Sequence, residues 1–161
     1  RTSEVLCARW SEVNLRSGVW TIPAERMKAG REHRVPLTET AIALLGRRGN
    51  EGEYLFRGAS TGKSLSNMSM LATLRRMGRG DLTAHGFRST FRDWAAEQTS
   101  FPSEVAEAAL AHVVGDKVEA AYRRGDLFEK RRRLMDAWDG YCAGTVPAGE
   151  VVPIRREAAL A

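Results

Sequence analysis

Residues 83–94 of the chain read TAHGFRSTFRDW, and the interpretation of the whole sequence starts from this stretch. Its apolar residues recur at helical spacing and predict one buried helix face: Phe87, Phe91, Trp94 and Ala95. Three basic residues at i, i+3 and i+7 line the adjoining edge: His85, Arg88 and Arg92. An imidazole and a guanidinium beside a buried face can bind an anion such as phosphate. A plain amphipathic helix with solvated basic residues would show the same pattern.

Length and composition indicate one globular domain with an excess of positive charge. The chain has 161 residues, of which 43% are hydrophobic, and its 25 Lys and Arg outnumber its 20 Asp and Glu. This balance favours a polyanionic partner. Cys7 and Cys142 are too few for a disulfide scaffold or a zinc site, so a reducing, cytosolic setting is expected. No apolar run approaches the length that spans a membrane.

Local patterns predict an α+β, mainly helical fold with a small antiparallel sheet near the N-terminus. Strands are predicted at 19–22 and 33–37, flanking a basic hairpin tip at 23–32. Besides the helix that opens near residue 83, helices are predicted at 3–8 (capped near Thr2 or Ser3), 41–48, 66–77, 105–112, 116–124 and 127–142. Leu44, Met77 and Tyr141 are expected on buried faces, and Lys130–Arg133 on a solvated face. Residues 1–143 would form the domain and 144–161, rich in Pro, Gly and Ala, a flexible tail.

Several familiar catalytic patterns are missing from the sequence. Residues 58–64, GASTGKS, approach a phosphate-binding P-loop but place three residues, where the P-loop has four, before the Gly-Lys pair. No zinc-ligand spacing, clustered aspartate pair or G-x-S-x-G is present. The remaining candidates suit phosphodiester chemistry: His85, His112 and Tyr122. The local pattern around Tyr122 fits a core tyrosine equally well.

The order of these residues resembles the catalytic domain of the tyrosine recombinase, or phage integrase, family. Five pieces occur in the family's order over roughly residues 1–142: Arg1-Thr2-Ser3-Glu4, the hairpin tip with Lys28, His85-Gly86-Phe87-Arg88, Leu110-Ala111-His112, and Tyr122. Segments 26–28, 121–126 and 130–132 are most similar to the integrases of prophages and genomic islands. Ala111 stands where many members have Gly. The chain begins at Arg1 without Met, so we expect a fragment in which the first catalytic arginine is poorly anchored.

The resemblance implies the tyrosine recombinase catalytic-domain fold and a DNA strand transferase that works through a 3′-phosphotyrosine, with no metal, ATP or other cofactor. Tyr122 would attack the scissile phosphate, while Arg1 and Arg88 would hold its non-bridging oxygens. His85 would accept the tyrosine proton, Lys28 would protonate the leaving 5′-oxygen, and His112 would donate a hydrogen bond to a phosphate oxygen. Nearby arginines are expected to contact the DNA backbone: Arg26, Arg31, Arg92, Arg123 and Arg124.

The partners implied by the resemblance are double-stranded DNA attachment sites, other integrase protomers in a tetramer on that DNA, and accessory DNA-bending proteins, with no membrane. The setting would be the bacterial cytoplasm, in association with the nucleoid. The isolated fragment could be weakly active or inactive. Two alternatives stay open at this stage. One is a DNA-binding module without activity, and the other is a relaxing enzyme similar to type IB topoisomerases, which share this chemistry.

Overall fold

The computed structural model describes residues 1–46, 49–50, 52–60, 62–112 and 125–145. This part contains the following helices: α1 (Thr2–Leu6), α2 (Glu39–Leu45), α3 (Ser69–Arg76), α4 (Gly86–Glu97), α5 (Ser103–Ala109) and α6 (Phe128–Cys142). It also contains three strands: β1 (Val13–Asn14), β2 (Val19–Ile22) and β3 (His33–Pro36). Short 3₁₀ turns occupy Trp10–Glu12 and Ala24–Arg26. The predicted α+β, mainly helical fold with a small N-terminal sheet is confirmed.

The sheet is antiparallel, and β2 lies in its centre between β1 and β3. Trp20 of β2 is opposite Val13 on one side and Val35 on the other. The turn before β2 depends on Gly18, whose φ of +61° is a left-handed conformation that glycine adopts without strain. A Cβ there would also lie 3.1 Å from the carbonyl oxygen of Leu37. The predicted β2–β3 hairpin is present, and β3 ends at Pro36, one residue earlier than predicted.

The main core is formed by α4, α5 and α6. Buried side chains from these helices and from the end of α5 make one cluster: Phe91, Trp94, Ala95, Val105, Ala106, Leu110 and Leu134. Trp138 of α6 completes it, with its ring edge-on to Phe91 at 5.3 Å and tilted against Trp94 at 4.9 Å between centroids. Aromatic pairs at such distances add to the free energy gained by burying their area. The predicted buried face of α4 is confirmed at Phe91, Trp94 and Ala95, and α4 is held by two other helices.

Several expectations about burial are wrong. Leu44 is 80% exposed, Met77 68% and Phe87 54%. Leu44 is one position, or about 100° of helix rotation, away from the half-buried Leu45. Met77 follows the last residue of α3, and Phe87 belongs to the first turn of α4, one turn before the buried Phe91. Tyr141 stacks on Trp138 but stays 38% exposed.

Some helix boundaries and one charge assignment also need correction. The N-cap of α1 is Arg1, because the side chain of Glu4 accepts from the backbone nitrogen of Arg1. Helix α4 begins at Gly86, three residues later than the opening of the stretch that predicts it. The run Lys130–Arg133 is not a solvated face throughout, since Arg131 is only 1% exposed. The predicted helix at 116–124 and the tail from residue 146 lie outside the described residues.

Within the described ranges, the structure has no helix that is both long and apolar enough to cross a membrane.

Two phenylalanines on α4 provide a test of this core. We expect Phe91→Ala to lower the free energy of unfolding by about 3–5 kcal/mol, since it removes a buried ring and leaves a cavity. Phe87→Ala, one helical turn earlier at a position that is 54% exposed, should change it by no more than about 0.5 kcal/mol. Urea unfolding followed by tryptophan fluorescence would measure both. Equal losses in the two variants would contradict the assignment of Phe91 to the core.

Candidate active site

The N-terminal part of the site is organised by the carboxylate of Glu4, which is 7% exposed. Its Oε2 accepts from the backbone nitrogen of Arg1 at 2.8 Å, and its Oε1 accepts from Arg1 Nη1 at 2.9 Å. Burial alone would raise the pKa of Glu4, but hydrogen bonds from the terminal ammonium group and the side chain of Arg1, together with their two positive charges, outweigh burial and lower that pKa. Arg1 is therefore held through both its backbone and its side chain. The expectation of a poorly anchored Arg1 is wrong for this chain.

Arg26 fastens the β2–β3 hairpin to the same place. Its Nη2 lies 2.6 Å from Oε2 of Glu12, and its Nη1 donates to the backbone carbonyl of Glu4 at 3.3 Å. Glu12 also accepts from the indole nitrogen of Trp20 at 2.9 Å. The guanidinium of Arg26 is thus turned inward, with its side chain only 22% exposed. This placement differs from the phosphate-facing position that the sequence suggests, because both amino groups bind within the protein.

The hairpin tip beyond Arg26 carries the exposed cations of this region. Met27 is buried and fixes the start of the tip, whereas Lys28 and Arg31 are exposed. Gly30 allows the tight reversal with a φ of +61°, and its N–H donates to the Met27 carbonyl at 2.9 Å. In the part of the chain that the structure describes, neither Lys28 nor Arg31 forms an ion pair. The tip therefore presents positive charge to solvent.

Arg88 joins the start of α4 to the end of α5. Its Nη2 donates to the backbone carbonyl of Leu110, two residues before His112. Burial lowers the pKa of Arg88, and the positive charge of Arg1 lowers it further. A guanidinium stays protonated in proteins despite such shifts, so two cations act on the same region. His85 immediately precedes α4 and is exposed.

His112 is placed by the way in which α5 ends. Its N–H donates to the carbonyl of Glu107 at 2.9 Å, and the N–H of Ala111 donates to Ala108 at 3.1 Å. This is the Schellman arrangement, which needs a left-handed residue just beyond the helix, and Ala111 has a φ of +49°. Glycine would suit this position, because it adopts such a conformation without strain. Alanine adopts this conformation only with some strain.

Glu107 connects His112 with α4. Its Oε2 lies 2.5 Å from His112 Nδ1, and its Oε1 accepts from Arg92 Nε at 2.7 Å. The hydrogen bond to His112 is the main reason why the pKa of Glu107 is lowered; burial opposes this effect, and Arg92 adds to the lowering. Arg92, expected at the DNA backbone, is half-exposed and paired with this carboxylate.

The structure relates three of the predicted site residues: Arg88 donates to the carbonyl two residues before His112, and the charge of Arg1 acts on the pKa of Arg88. Lys28 is connected to them only indirectly, by the inward-turned Arg26. Tyr122, Arg123 and Arg124 lie outside the described residues. No group of three or more His, Cys, Asp or Glu side chains in the described ranges could hold a metal ion.

Sequence reasoning missed Glu12 and Glu107. Glu12 binds Arg26, fourteen residues later in the chain, and no local pattern reveals such a pair. Glu107 could have been found, because a Schellman motif places its first and last residues against each other, and these are Glu107 and His112.

Comparisons with known proteins agree with these motifs. A model of the phage integrase family matches residues 1–126. Prophage integrase IntA of Escherichia coli (strain K12) is 38% identical over 148 residues, which cover 86% of this chain and 34% of IntA. Prophage integrase IntZ of the same strain is 35% identical over 152 residues, with 89% and 38% covered. The integrase of Enterobacteria phage P4 is 31% identical over 161 residues, with 88% and 37% covered.

The chain therefore spans little more than a third of the length of these relatives. No solved structure matches it significantly.

The lowered pKa of Glu4 predicts a specific dependence of stability on pH. The stabilising effect of the Glu4 carboxylate should be complete above its ordinary pKa of 4.5. It should be lost as the pH falls through the lower pKa that this group has in the folded state. We expect Glu4→Gln to reduce the free energy of unfolding by a roughly constant amount at pH 6–8, because it leaves Arg1 without its anionic partner. The difference from the unsubstituted chain should shrink below about pH 4.5.

Urea unfolding at a series of pH values would measure this effect. Glu25→Gln, which removes an exposed carboxylate from the hairpin, is the control and should have little effect at any pH. A Glu4→Gln difference that grows as the pH falls would contradict the role given to Glu4.

Proposed function

Because the chain belongs to the phage integrase family, we propose that it is the DNA-cleaving part of a site-specific recombinase. In this proposal Tyr122 attacks a phosphate of the DNA, so that a 3′-phosphotyrosine forms and the 5′-oxygen leaves. The observation that carries the proposal is the hydrogen bond from Arg88 to the Leu110 carbonyl. It fixes one guanidinium beside His112 and within electrostatic reach of Arg1.

Strand cleavage poses a charge problem that these cations could solve. A phenol has a pKa near 10, so only about one in a thousand is ionised at neutral pH. The pentacoordinate phosphorus formed during attack also carries more negative charge than the starting diester. Arg1 and Arg88 would bind its non-bridging oxygens and would stabilise the transition state more strongly than the ground state. Glu4 supports this role because its Oε1 accepts a hydrogen bond from Arg1 Nη1 and so holds the guanidinium in place.

Two proton transfers complete the cleavage step. His85, exposed at the start of α4, would accept the phenol proton of Tyr122. Lys28 would give a proton to the leaving 5′-oxygen. Its position on an exposed hairpin tip, without an ion pair in the described part of the chain, supports a role at an incoming DNA backbone. The phosphotyrosine keeps the energy of the broken ester, so that attack by a 5′-hydroxyl could rejoin the strand without ATP.

His112 would contact a phosphate oxygen through its second ring nitrogen. Nδ1 faces Glu107 at 2.5 Å and would donate its hydrogen there. Nε2 then remains to donate to a phosphate oxygen, which requires hydrogens on both nitrogens. We assign Glu107 the role of a positioning residue, since it touches His112 and Arg92 but would not touch the phosphate.

The DNA contacts and the partners belong to the same proposal. Lys28 and Arg31 would meet the DNA backbone at the hairpin tip, and Arg123 and Arg124 would do so beside Tyr122. Arg26 and Arg92 would act by holding the hairpin and Glu107, in contrast to the direct contacts expected from sequence. Attachment-site DNA, other protomers in a tetramer and accessory DNA-bending proteins are the partners that the family suggests.

The proposed nucleophile can be tested with a nicked attachment-site substrate that traps the covalent intermediate. We expect a protein–DNA adduct with the unsubstituted chain, or with a longer form that contains it, and none with Tyr122→Phe, which lacks the attacking oxygen. Denaturing gel electrophoresis would detect the adduct. Tyr141→Phe is the matched control, since it removes a hydroxyl from a partly exposed tyrosine outside the proposed site and should leave the adduct unchanged.

The absence of any adduct from the unsubstituted protein in both forms would contradict the proposal and favour a DNA-binding module without activity. An adduct that persists in Tyr122→Phe would contradict the choice of nucleophile. Multiple-turnover relaxation of supercoiled DNA without exchange of strands between sites would favour the topoisomerase-like alternative.

The role of Glu107 predicts a kinetic defect without a defect in DNA binding. Glu107→Gln keeps the shape but loses the charge, so the hydrogen bond to His112 weakens. We expect adduct formation at saturating DNA to slow by about 10- to 100-fold, the effect of losing one charge-assisted hydrogen bond. The dissociation constant for DNA should change by no more than about twofold. Single-turnover kinetics and a binding titration would measure the two quantities.

Glu97→Gln, which removes an exposed carboxylate from the end of α4, should leave both quantities unchanged. If Glu107→Gln lowers affinity and rate in proportion, Glu107 supports the fold of the site and does not orient His112.

A further inference from the structure

A cluster outside the residues discussed above surrounds Asp126, at the start of α6. Arg34 of β3 donates from Nε to Oδ2 at 3.0 Å and from Nη2 to Oδ1 at 2.9 Å. Arg131 donates from Nη2 to Oδ2 at 2.8 Å and from Nε to the Asp126 carbonyl at 2.7 Å. The remaining amino group of Arg131 donates to the carbonyl of Arg34 at 2.5 Å. We call Arg34, Asp126 and Arg131 the Asp126 clamp.

The burial of Arg131 sets this cluster apart from an ordinary surface ion pair. Its side chain is 1% exposed, and burial lowers its pKa, with a further contribution from the charge of Arg34. A buried guanidinium is unfavourable unless its donors are satisfied, and here each of its three nitrogens donates a hydrogen bond. These bonds specify one arrangement of α6 against β3, which apolar packing alone would not do.

The backbone beside the clamp is also tightly constrained. Leu127 has a φ of +55°, a left-handed conformation that is strained for leucine. The carboxylate of Asp126 accepts from the N–H of Phe128 at 3.2 Å, across this residue. The ring of Phe128 lies under three guanidinium groups: Arg34 at 4.5 Å, Arg131 at 5.5 Å and Arg132 at 5.0 Å. Such a strained residue persists only where its surroundings hold it in place.

The clamp is close in sequence to the proposed nucleophile and to the proposed general acid of the cleavage step. Tyr122 precedes Asp126 by four residues. Four residues of chain can span at most about 14 Å, so the position of Asp126 limits the reach of the proposed nucleophile. On the other side, Arg34 belongs to the strand that leaves the hairpin tip with Lys28, six residues earlier.

We propose that the Asp126 clamp positions the nucleophile relative to the general acid. In this proposal the clamp holds Asp126, the residue from which the chain leads back to Tyr122. Through Arg34 it ties Asp126 to β3, the strand that follows the hairpin tip with Lys28. Arg34, Asp126 and Arg131 are positioning residues, because they act through the chain and not on the phosphate. The inference rests on the proposed function, in which Tyr122 attacks and Lys28 protonates.

Arg34 and Arg132 form a matched pair for testing the clamp. Both stack on Phe128 and carry the same charge, but only Arg34 binds Asp126; Arg132 donates to the carbonyl of Ser17 at 3.2 Å. We expect Arg34→Gln to slow adduct formation at saturating DNA by about 10- to 100-fold, since a displacement of about 1 Å at a reacting group has such an effect. Arg132→Gln should stay within about twofold of the unsubstituted protein.

The dissociation constant for DNA should differ by no more than about twofold between the two variants. Arg34→Lys keeps the charge but loses the paired hydrogen bonds, so adduct formation should remain as slow as in Arg34→Gln. If Arg34 only contacted the DNA backbone, lysine would restore the rate. Equal slowing in Arg34→Gln and Arg132→Gln, a loss confined to affinity, or full recovery in Arg34→Lys would each overturn the clamp.

The same assay separates this inference from the proposed function. If the unsubstituted protein forms an adduct through Tyr122 and Arg34→Gln forms it at the normal rate, the clamp is wrong and the function stands. If the unsubstituted protein forms none, the function is wrong and the clamp falls with it.

Discussion

The negative charge of Glu4 is enclosed by protein, and the N-terminal half of the molecule is arranged around the need to balance it. A buried carboxylate without a cation would be strongly destabilising, so Arg1 binds it twice. The backbone carbonyl of Glu4 accepts a hydrogen bond from Arg26, which connects α1 to the hairpin. The charge of Glu4 also acts on Arg88, since it opposes the lowering of that residue's pKa. One buried charge thus connects α1, the hairpin and α4.

Helix α4 combines a rigid core element with the groups that face the candidate site. Phe91 and Trp94 hold it against α6 through contacts with the ring of Trp138, and against α5 through the buried cluster that they share with Val105 and Ala106. Arg88 lies three residues before the buried Phe91 on the same helix. Its guanidinium therefore reaches the Leu110 carbonyl from a backbone that the core packing holds in place. The end of α5 receives the same support, because Leu110 is itself part of the core. Precise placement of a cation without a bound ligand requires such packing, as long arginine side chains otherwise sample many rotamers.

The sequence predicted what depends on neighbours along the chain and failed where distant residues decide. The spacing of Phe91, Trp94 and Ala95 was sufficient for α4, and two apolar runs around a basic tip were sufficient for the hairpin. Arg131 looked solvated because its neighbours are basic, but its acceptor on Arg34 is 97 residues away in the chain. Arg26 was placed among the hairpin's free cations for the same reason, since Glu12 is not part of that pattern. Leu44 was misjudged because periodicity cannot show which sides of a short helix receive partners.

The distribution of ion pairs limits how many of the chain's 25 Lys and Arg residues can act on a polyanion. Many of its arginines bind carboxylates of the protein itself, among them Arg26, Arg34 and Arg131. Their charge is neutralised locally and contributes little to the attraction of a distant polyanion. Affinity for DNA depends on the cations that can replace counterions at phosphates. Composition therefore overstates the DNA-binding charge, and Lys28 and Arg31 at the exposed tip are among the cations of the described residues that form no ion pair.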